Sequence, residues 1–264
     1  MKPLICTLLP LAIVGASSTH AAITFYSDFT EDSIGDITGL TVDTPSTTGA
    51  NSGTITLDTA NDQLDLTANG ANLWDNRENA PIAWVSAPSV VAGETWYVET
   101  QINMNNHTGG AAGYDQAGIT FGNDTDGYNP GGPNDTFALL LNDWNNWTVQ
   151  HAAFSVGGGV NGAIDTSDTN IFLRVEITEG GATDTYNFFF KEDGGDEWTQ
   201  LTDLAEDREG SFANSRVGLV LKSHNSNPNG NAQFDYLEVG VVPEPSTTAL
   251  LGLGGLALIL RRRK

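Results

Sequence analysis

The sequence predicts an all-β protein folded as a two-sheet antiparallel sandwich, and three observations carry that prediction. Apolar and polar residues alternate with a period of two along most of the chain. The alternating segments are separated by clusters of Asn, Asp, Gly and Pro, which is turn chemistry. No stretch sustains a helical period, and Leu201 to Glu209 offers at best a turn or two.

Taken in order, ITFYSDF (23–29) opens the domain, and GTITL (53–57) with QLDLTA (63–68) forms a hairpin around Thr59-Ala60-Asn61-Asp62. Glu94 to Met104 is the longest strand. It places Trp96, Val98, Thr100, Ile102 and Met104 on one face and Tyr97, Glu99, Gln101 and Asn103 on the other. QAGITFG (116–122), TFALLL (136–141) and WTVQHAAFSV (147–156) follow, then IFLRVEIT (171–178), TYNFFFK (185–191), EWTQL (197–201), RVGLVLK (216–222) and AQFDYLEV (232–239). Many short strands without helices point to a sandwich in which each strand buries one face.

The two ends of the chain are of a different kind. Lys2 precedes an apolar stretch from Leu4 to Val14, and small residues lead to Thr19-His20-Ala21, which reads as a secretory signal peptide over 1–21 cleaved before Ala22. At the other end Pro243, Glu244 and Pro245 precede an apolar run, Ala249 to Leu260, closed by Arg261, Arg262, Arg263 and Lys264. As a helix this run covers ~18–22 Å of a ~30 Å hydrocarbon core, so it makes a short transmembrane anchor. The positive-inside rule places the basic end in the cytoplasm and the rest of the chain outside. The domain organisation is therefore signal peptide 1–21, sandwich 22–242 and tail 243–264. The single cysteine, Cys6, belongs to the signal peptide, so the mature chain has neither disulfides nor thiolate chemistry.

Between Ala22 and Val242 six basic residues face thirty-two acids, a net charge of −26. Such a surface repels nucleic acid and anionic headgroups and suits cations, neutral sugars or solubility in a crowded matrix.

The three-part tail resembles the PEP-CTERM sorting signal of exopolysaccharide-producing Gram-negative bacteria. That resemblance implies export across the inner membrane, transient anchoring there, and processing near Pro243-Glu244-Pro245 by a membrane-embedded, cysteine-dependent exosortase. The mature part then passes to the cell surface or the extracellular matrix. An ordinary tail anchor is the alternative, but glycines at 252, 254 and 255 weaken a permanent helix. The middle of the chain has its own resemblance. An opening SDF, the stretch YNFFFKEDGGDEWTQL, and RVGLVLKSHNSNPNGNAQFDYLEV at the close are similar to the concanavalin A-like jelly rolls, the laminin-G-like members above all. In that architecture the first and last strands lie side by side, with Phe29 and Phe234 in the core.

Concanavalin A-like glucanases carry a Glu-x-Asp-x-x-Glu strand, and this chain has none. Glu94 and Glu99 fall on opposite faces of their strand, so a glycosidase would need carboxylates assembled from separate strands. No Gly-x-Ser-x-Gly elbow is present, and His107, His151 and His224 lack zinc spacing. The expectation is a non-catalytic protein.

Calcium takes six to eight hard oxygens. The loop Asn123-Asp124-Thr125-Asp126-Gly127, continuing to Asn134-Asp135, supplies some, although Asx residues are equally turn formers. Relatives by resemblance hold a structural Ca²⁺ near residues such as Asp28 and Asp235. For glycans the candidate ligand-binding residues are Trp144, with Asn142 and Asp143 at a hairpin tip, and Trp74, since flat rings stack on pyranose faces. The same Trp144 ring folded back over the sheet is the competing reading. Trp84, Trp96, Trp147 and Trp198 read as packing. The functional expectation is an exported surface or matrix protein whose jelly roll binds polysaccharide. The alternative is a glycan-active hydrolase with a hidden carboxylate pair.

Overall fold

The computed structural model describes residues 22–43, 52–69, 80–104, 115–123, 137–142, 148–153, 160–166, 168–180, 183–201, 208–209, 215–223 and 230–242. The chain divides into two units, one of Ala22–Val242 and one of the two flanking segments. Every described residue lies in the first.

In chain order its strands are β1 (Ala22–Ser27), β2 (Thr41–Asp43), β3 (Ser52–Asp58), β4 (Gln63–Asn69), β5 (Ile82–Ser86), β6 (Thr95–Asn103), β7 (Gln116–Asn123) and β8 (Phe137–Asn142). They continue as β9 (Thr148–Ala153), β10 (Val160–Asp165), β11 (Asn170–Thr178), β12 (Thr183–Glu192), β13 (Thr199–Gln200), β14 (Arg208–Glu209), β15 (Ser215–Lys222) and β16 (Gly230–Val242). Among the described residues the helical element is one turn of 3₁₀ helix, Ile34–Asp36. The turn expected after Leu201 is not helical at its far end, where Arg208–Glu209 pairs as a strand with β12.

Two antiparallel sheets result. One runs β13-β12-β11-β6-β16-β4-β3, with β1 on β16 and β14 on β12, and the other runs β10-β9-β8-β7-β15-β5-β2. This is a jelly-roll sandwich. Long β16 holds the first sheet together: its first half pairs with β4 and its second half with β1, while β6 lies along its other edge.

Alternation decides what enters the core. On β6, Trp96, Val98, Thr100 and Ile102 are fully buried, and on β11 so are Ile171, Leu173, Val175 and Ile177. Ile119 and Phe121 of β7, Leu139 and Leu141 of β8, and Val217, Leu219 and Leu221 of β15 meet them from the second sheet. Trp96 and Phe121 touch edge to face at 6.2 Å. Phe29 and Phe234 are also fully buried. The β3–β4 hairpin turns where the sequence asks it to. The Asp58 carboxylate accepts from the Ala60 amide (3.0 Å) and the Asn61 side-chain amide (2.6 Å), and Asp62 takes a left-handed φ of 55°.

Candidate functional site

The outward face of the larger sheet is built by the residues that alternate with the core. In β6 these are Tyr97, Glu99 and Gln101, in β11 Phe172, Arg174 and Glu176, and in β12 Asn187, Phe189 and Lys191. In β16 a register shift between Phe234 and Tyr236, against β6, inserts Asp235 as an extra residue. The bulge changes the phase of the strand, so that Tyr236 and Glu238 face outward while Leu237 and Val239 return to the core.

Registers align these side chains in rows across the strands. Phe189, Arg174, Glu99, Glu238 and Tyr26 stand opposite one another through β12, β11, β6, β16 and β1. Lys191, Phe172, Gln101 and Tyr236 form the neighbouring row. Two carboxylates, Glu99 and Glu238, thus face each other directly, a placement that repels unless it is compensated. Compensation comes from three sides. Arg174 donates to Glu99 at 3.1 Å and to Glu176 at 2.8 Å, with its guanidinium 4.3 Å over the Tyr97 ring. The Tyr236 hydroxyl donates to Glu99 at 2.6 Å, and the Tyr97 hydroxyl donates to Glu238. Each tyrosine therefore serves the carboxylate of the neighbouring strand.

Those phenols are held protonated. Burial pushes the Tyr97 and Tyr236 pKa values well above the ordinary tyrosine range, and the carboxylates they donate to push the same way. Tyr26 is raised as well, first by burial and then by Asp28 and Glu238.

Around the carboxylates runs an aromatic belt. Tyr26 stacks on Tyr236 (centroids 6.5 Å, 27° between planes), and Phe172 lies tilted against Tyr236 at 6.5 Å. Lys191 reaches over Phe172 at 4.3 Å and toward Trp198 at 5.3 Å. From β1 to β12 the belt crosses five strands, a span of ~19 Å at the usual strand spacing. Tyr26 is 52% exposed, while Phe172, Tyr236 and Trp198 are half-buried.

Of the candidate site residues singled out in the sequence, Asp28, Asp235 and the backbone of Asn142 are described. Asn142 ends β8, opposite Thr148 of β9. Asp143, Trp144 and Trp74 lie outside the described residues, as do the calcium loop after Asn123, the Pro243-Glu244-Pro245 and Arg261–Arg263 signals, and both apolar terminal runs. Among the described residues no helix is long and apolar enough to cross a membrane. Asp28 directly follows β1, whose Ser27 pairs with Leu237, and Asp235 lies two residues before Leu237 on β16. Their described partners differ: Thr30 donates to Asp28 at 2.9 Å and Gln63 to Asp235 at 2.5 Å. Among the described residues no three His, Cys, Asp or Glu side chains group as a metal site. Trp84 and Trp96 are buried, but Trp198, expected in the core, lies half-buried beside Lys191.

Sequence reasoning missed Tyr26, Tyr97, Tyr236, Phe172 and Arg174. The available signal was the run of aromatic and charged residues at the outward positions of strands 94–104, 171–178 and 232–239.

Comparison with known proteins places both parts of the chain. The fold defines the class. Over 87% of this chain and 99% of the other, it superposes on endo-1,3-beta-glucanase from Streptomyces sioyaensis with a TM-score of 0.54 at 14% identity. A protein of unknown function from Shewanella oneidensis MR-1 matches with a TM-score of 0.53 at 10% identity, over 85% of this chain and 89% of that one. A GH43 glycoside hydrolase engineered for endo-xylanase and exo-arabinofuranosidase activity matches at 15% identity and a TM-score of 0.47, over 68% of this chain; the chain spans only 34% of that enzyme's length. No curated protein matches the sequence. Residues 241–264 match the PEP-CTERM protein-sorting motif. The chain is thus a jelly-roll sandwich carrying a C-terminal PEP-CTERM sorting signal, which marks an exported protein sorted by an exosortase.

Proposed function

We propose that this is a non-catalytic surface or matrix protein whose larger sheet binds polysaccharide along the Tyr26–Tyr236–Phe172–Trp198 belt. The belt carries the reading: four rings on one outward face, Tyr26 of β1, Tyr236 of β16, Phe172 of β11 and Trp198 just before β13, match an extended chain of pyranoses, and Gln101, Asn187 and Gln200 on the same face supply amide groups for hydroxyls. The sorting signal is consistent with it, because a protein delivered to the cell surface meets polysaccharide there. The experiment is a polysaccharide binding panel with the purified exported protein, comparing the parent with Tyr26→Ala and Phe172→Ala. Binding that falls about tenfold in each variant, equivalent to ~1.4 kcal/mol, supports the reading. Affinity unchanged in both overturns it.

A second reading has one observation in its favour. Glu99 and Glu238 are cross-strand partners, and carboxyl groups ~5–5.5 Å apart are what retaining glycoside hydrolysis uses. Against it, tyrosine hydroxyls donate to both carboxylates, whereas a general acid must carry its own proton to the leaving oxygen. Release of reducing sugar by the parent, abolished in Glu99→Gln and in Glu238→Gln, would establish the hydrolase instead.

A further inference from the structure

Among the described residues, no cation forms an ion pair with the two carboxylates at one end of the belt, Asp28 and Glu238. Tyr26, stacked on Tyr236, stands opposite Glu238 and two residues before Asp28. The chain turns at Phe29, whose φ of 58° is left-handed and whose ring is fully buried, and exposed Asp28 comes immediately before that turn. Among the described residues, Asp28 accepts a hydrogen bond from Thr30 and Glu238 one from Tyr97. The cations whose side chains are described are engaged elsewhere: Arg174 by Glu99 and Glu176, Lys191 over Phe172 and Trp198, Arg216 by Asp43, and Lys222 by Gln116.

Resting on the polysaccharide reading above, we propose that this end selects an amino sugar. A hexosamine unit with a free ammonium would stack on Tyr26 and Tyr236 and direct that ammonium to Asp28 and Glu238. Three chemical facts converge on that class. An ammonium has three donors and no acceptor, so it suits two carboxylates that retain open acceptor positions. The electron-rich ring faces attract the same charge. A uronate or a sulfated sugar would bring a third anion to the spot, and a neutral sugar would cover two carboxylates without satisfying them.

The test is isothermal titration of the purified exported protein, in a chelator and at low salt, with four glycan probes and polylysine as a charge control. The glycans are a fully deacetylated glucosamine hexamer, its N-acetylated counterpart, a neutral β-1,3-glucan and a polyuronate. The expected result is that the glucosamine hexamer binds at least tenfold more tightly than the N-acetylated one. The polyuronate is expected not to bind. Replacing Asp28→Asn and Glu238→Gln together should bring the two hexamers to parity, with the melting temperature reporting that the fold is kept. Equal affinity for the two hexamers in the parent, with the glucan also bound, overturns the amino-sugar assignment and leaves the polysaccharide reading standing. A preference that survives the double variant, or polylysine of matched charge binding as tightly as the hexamer, also overturns it. No binding of any of the four glycans removes the polysaccharide reading as well.

Discussion

Gly240 stands opposite Tyr97 across β16 and β6, and the space its missing side chain leaves is where the phenol lies: a Cβ there would come within 2.8 Å of the Tyr97 hydroxyl and 2.9 Å of its ring. Tyr97 is only 4% exposed, so its ring has little room to withdraw. Gly240→Ala should therefore push the ring aside, break the hydrogen bond to Glu238 and destabilise the fold by about 1–3 kcal/mol. Urea denaturation measures this. In the background of Tyr97→Ala the same substitution should cost much less, because the clash partner is gone.

Arg174 joins two carboxylates and a ring at once. Arg174→Gln would leave Glu99, Glu176 and Glu238 as neighbouring anions. A loss of about 1 kcal/mol is expected at low ionic strength, shrinking as salt is added, because the groups are partly solvated and screened. Denaturation midpoints at low and high salt decide it, and a loss independent of salt would argue for packing rather than charge.

The raised tyrosines fix the alkaline limb of stability. In the unfolded chain a tyrosine loses its proton near pH 10, while Tyr97 and Tyr236 hold theirs to higher pH in the fold. Above pH ~10 the unfolded state therefore binds fewer protons than the native one, and stability must fall as pH rises. Melting temperatures should decline there in the parent and decline less steeply in the Tyr97→Phe, Tyr236→Phe double variant.

Glu179 gives the same sign of dependence on the acidic side, where stability again falls as pH rises. Burial, and then the neighbouring Asp184, raise its carboxyl above the ordinary glutamate range. Its protonated form is favoured by folding, so its contribution is full below the ordinary glutamate pKa and lost as pH rises through the raised value. Glu179→Gln, neutral at every pH, should melt higher than the parent at pH 7 and gain nothing at pH 3.

Should Asp28 and Asp235 share a calcium ion, with backbone oxygens completing its shell, chelation would lower the melting temperature by several degrees through loss of native-state binding. An identical transition with calcium and with chelator would remove that site.

The sandwich was legible wherever one face of a strand is buried and the other solvated. Alternation in 94–104 separates Trp96, Val98, Thr100 and Ile102 from Tyr97 and Glu99, as the structure does. Strand β5 was not legible, because Ile82 to Val85 are buried on both faces and leave no period to read. The belt was hidden for two further reasons. Its rows depend on pairings between strands far apart in sequence, so Glu99 could be compared with Glu94 on its own strand but not with Glu238. The bulge at Asp235 also overrides alternation: counting by twos from buried Phe234 sends Tyr236 inward, whereas the extra residue turns it out.

Ala22 pairs with Val241, so the first and last strands begin and end at a shared corner. Whatever precedes Ala22 and whatever follows Val242 therefore join the sandwich at neighbouring strand ends. Val242 is still paired in register with Thr95, and Pro243 comes next. An enzyme that severs the chain at that proline would be working against a folded wall, and freeing a grip on the residues upstream would mean unzipping the rim of β16.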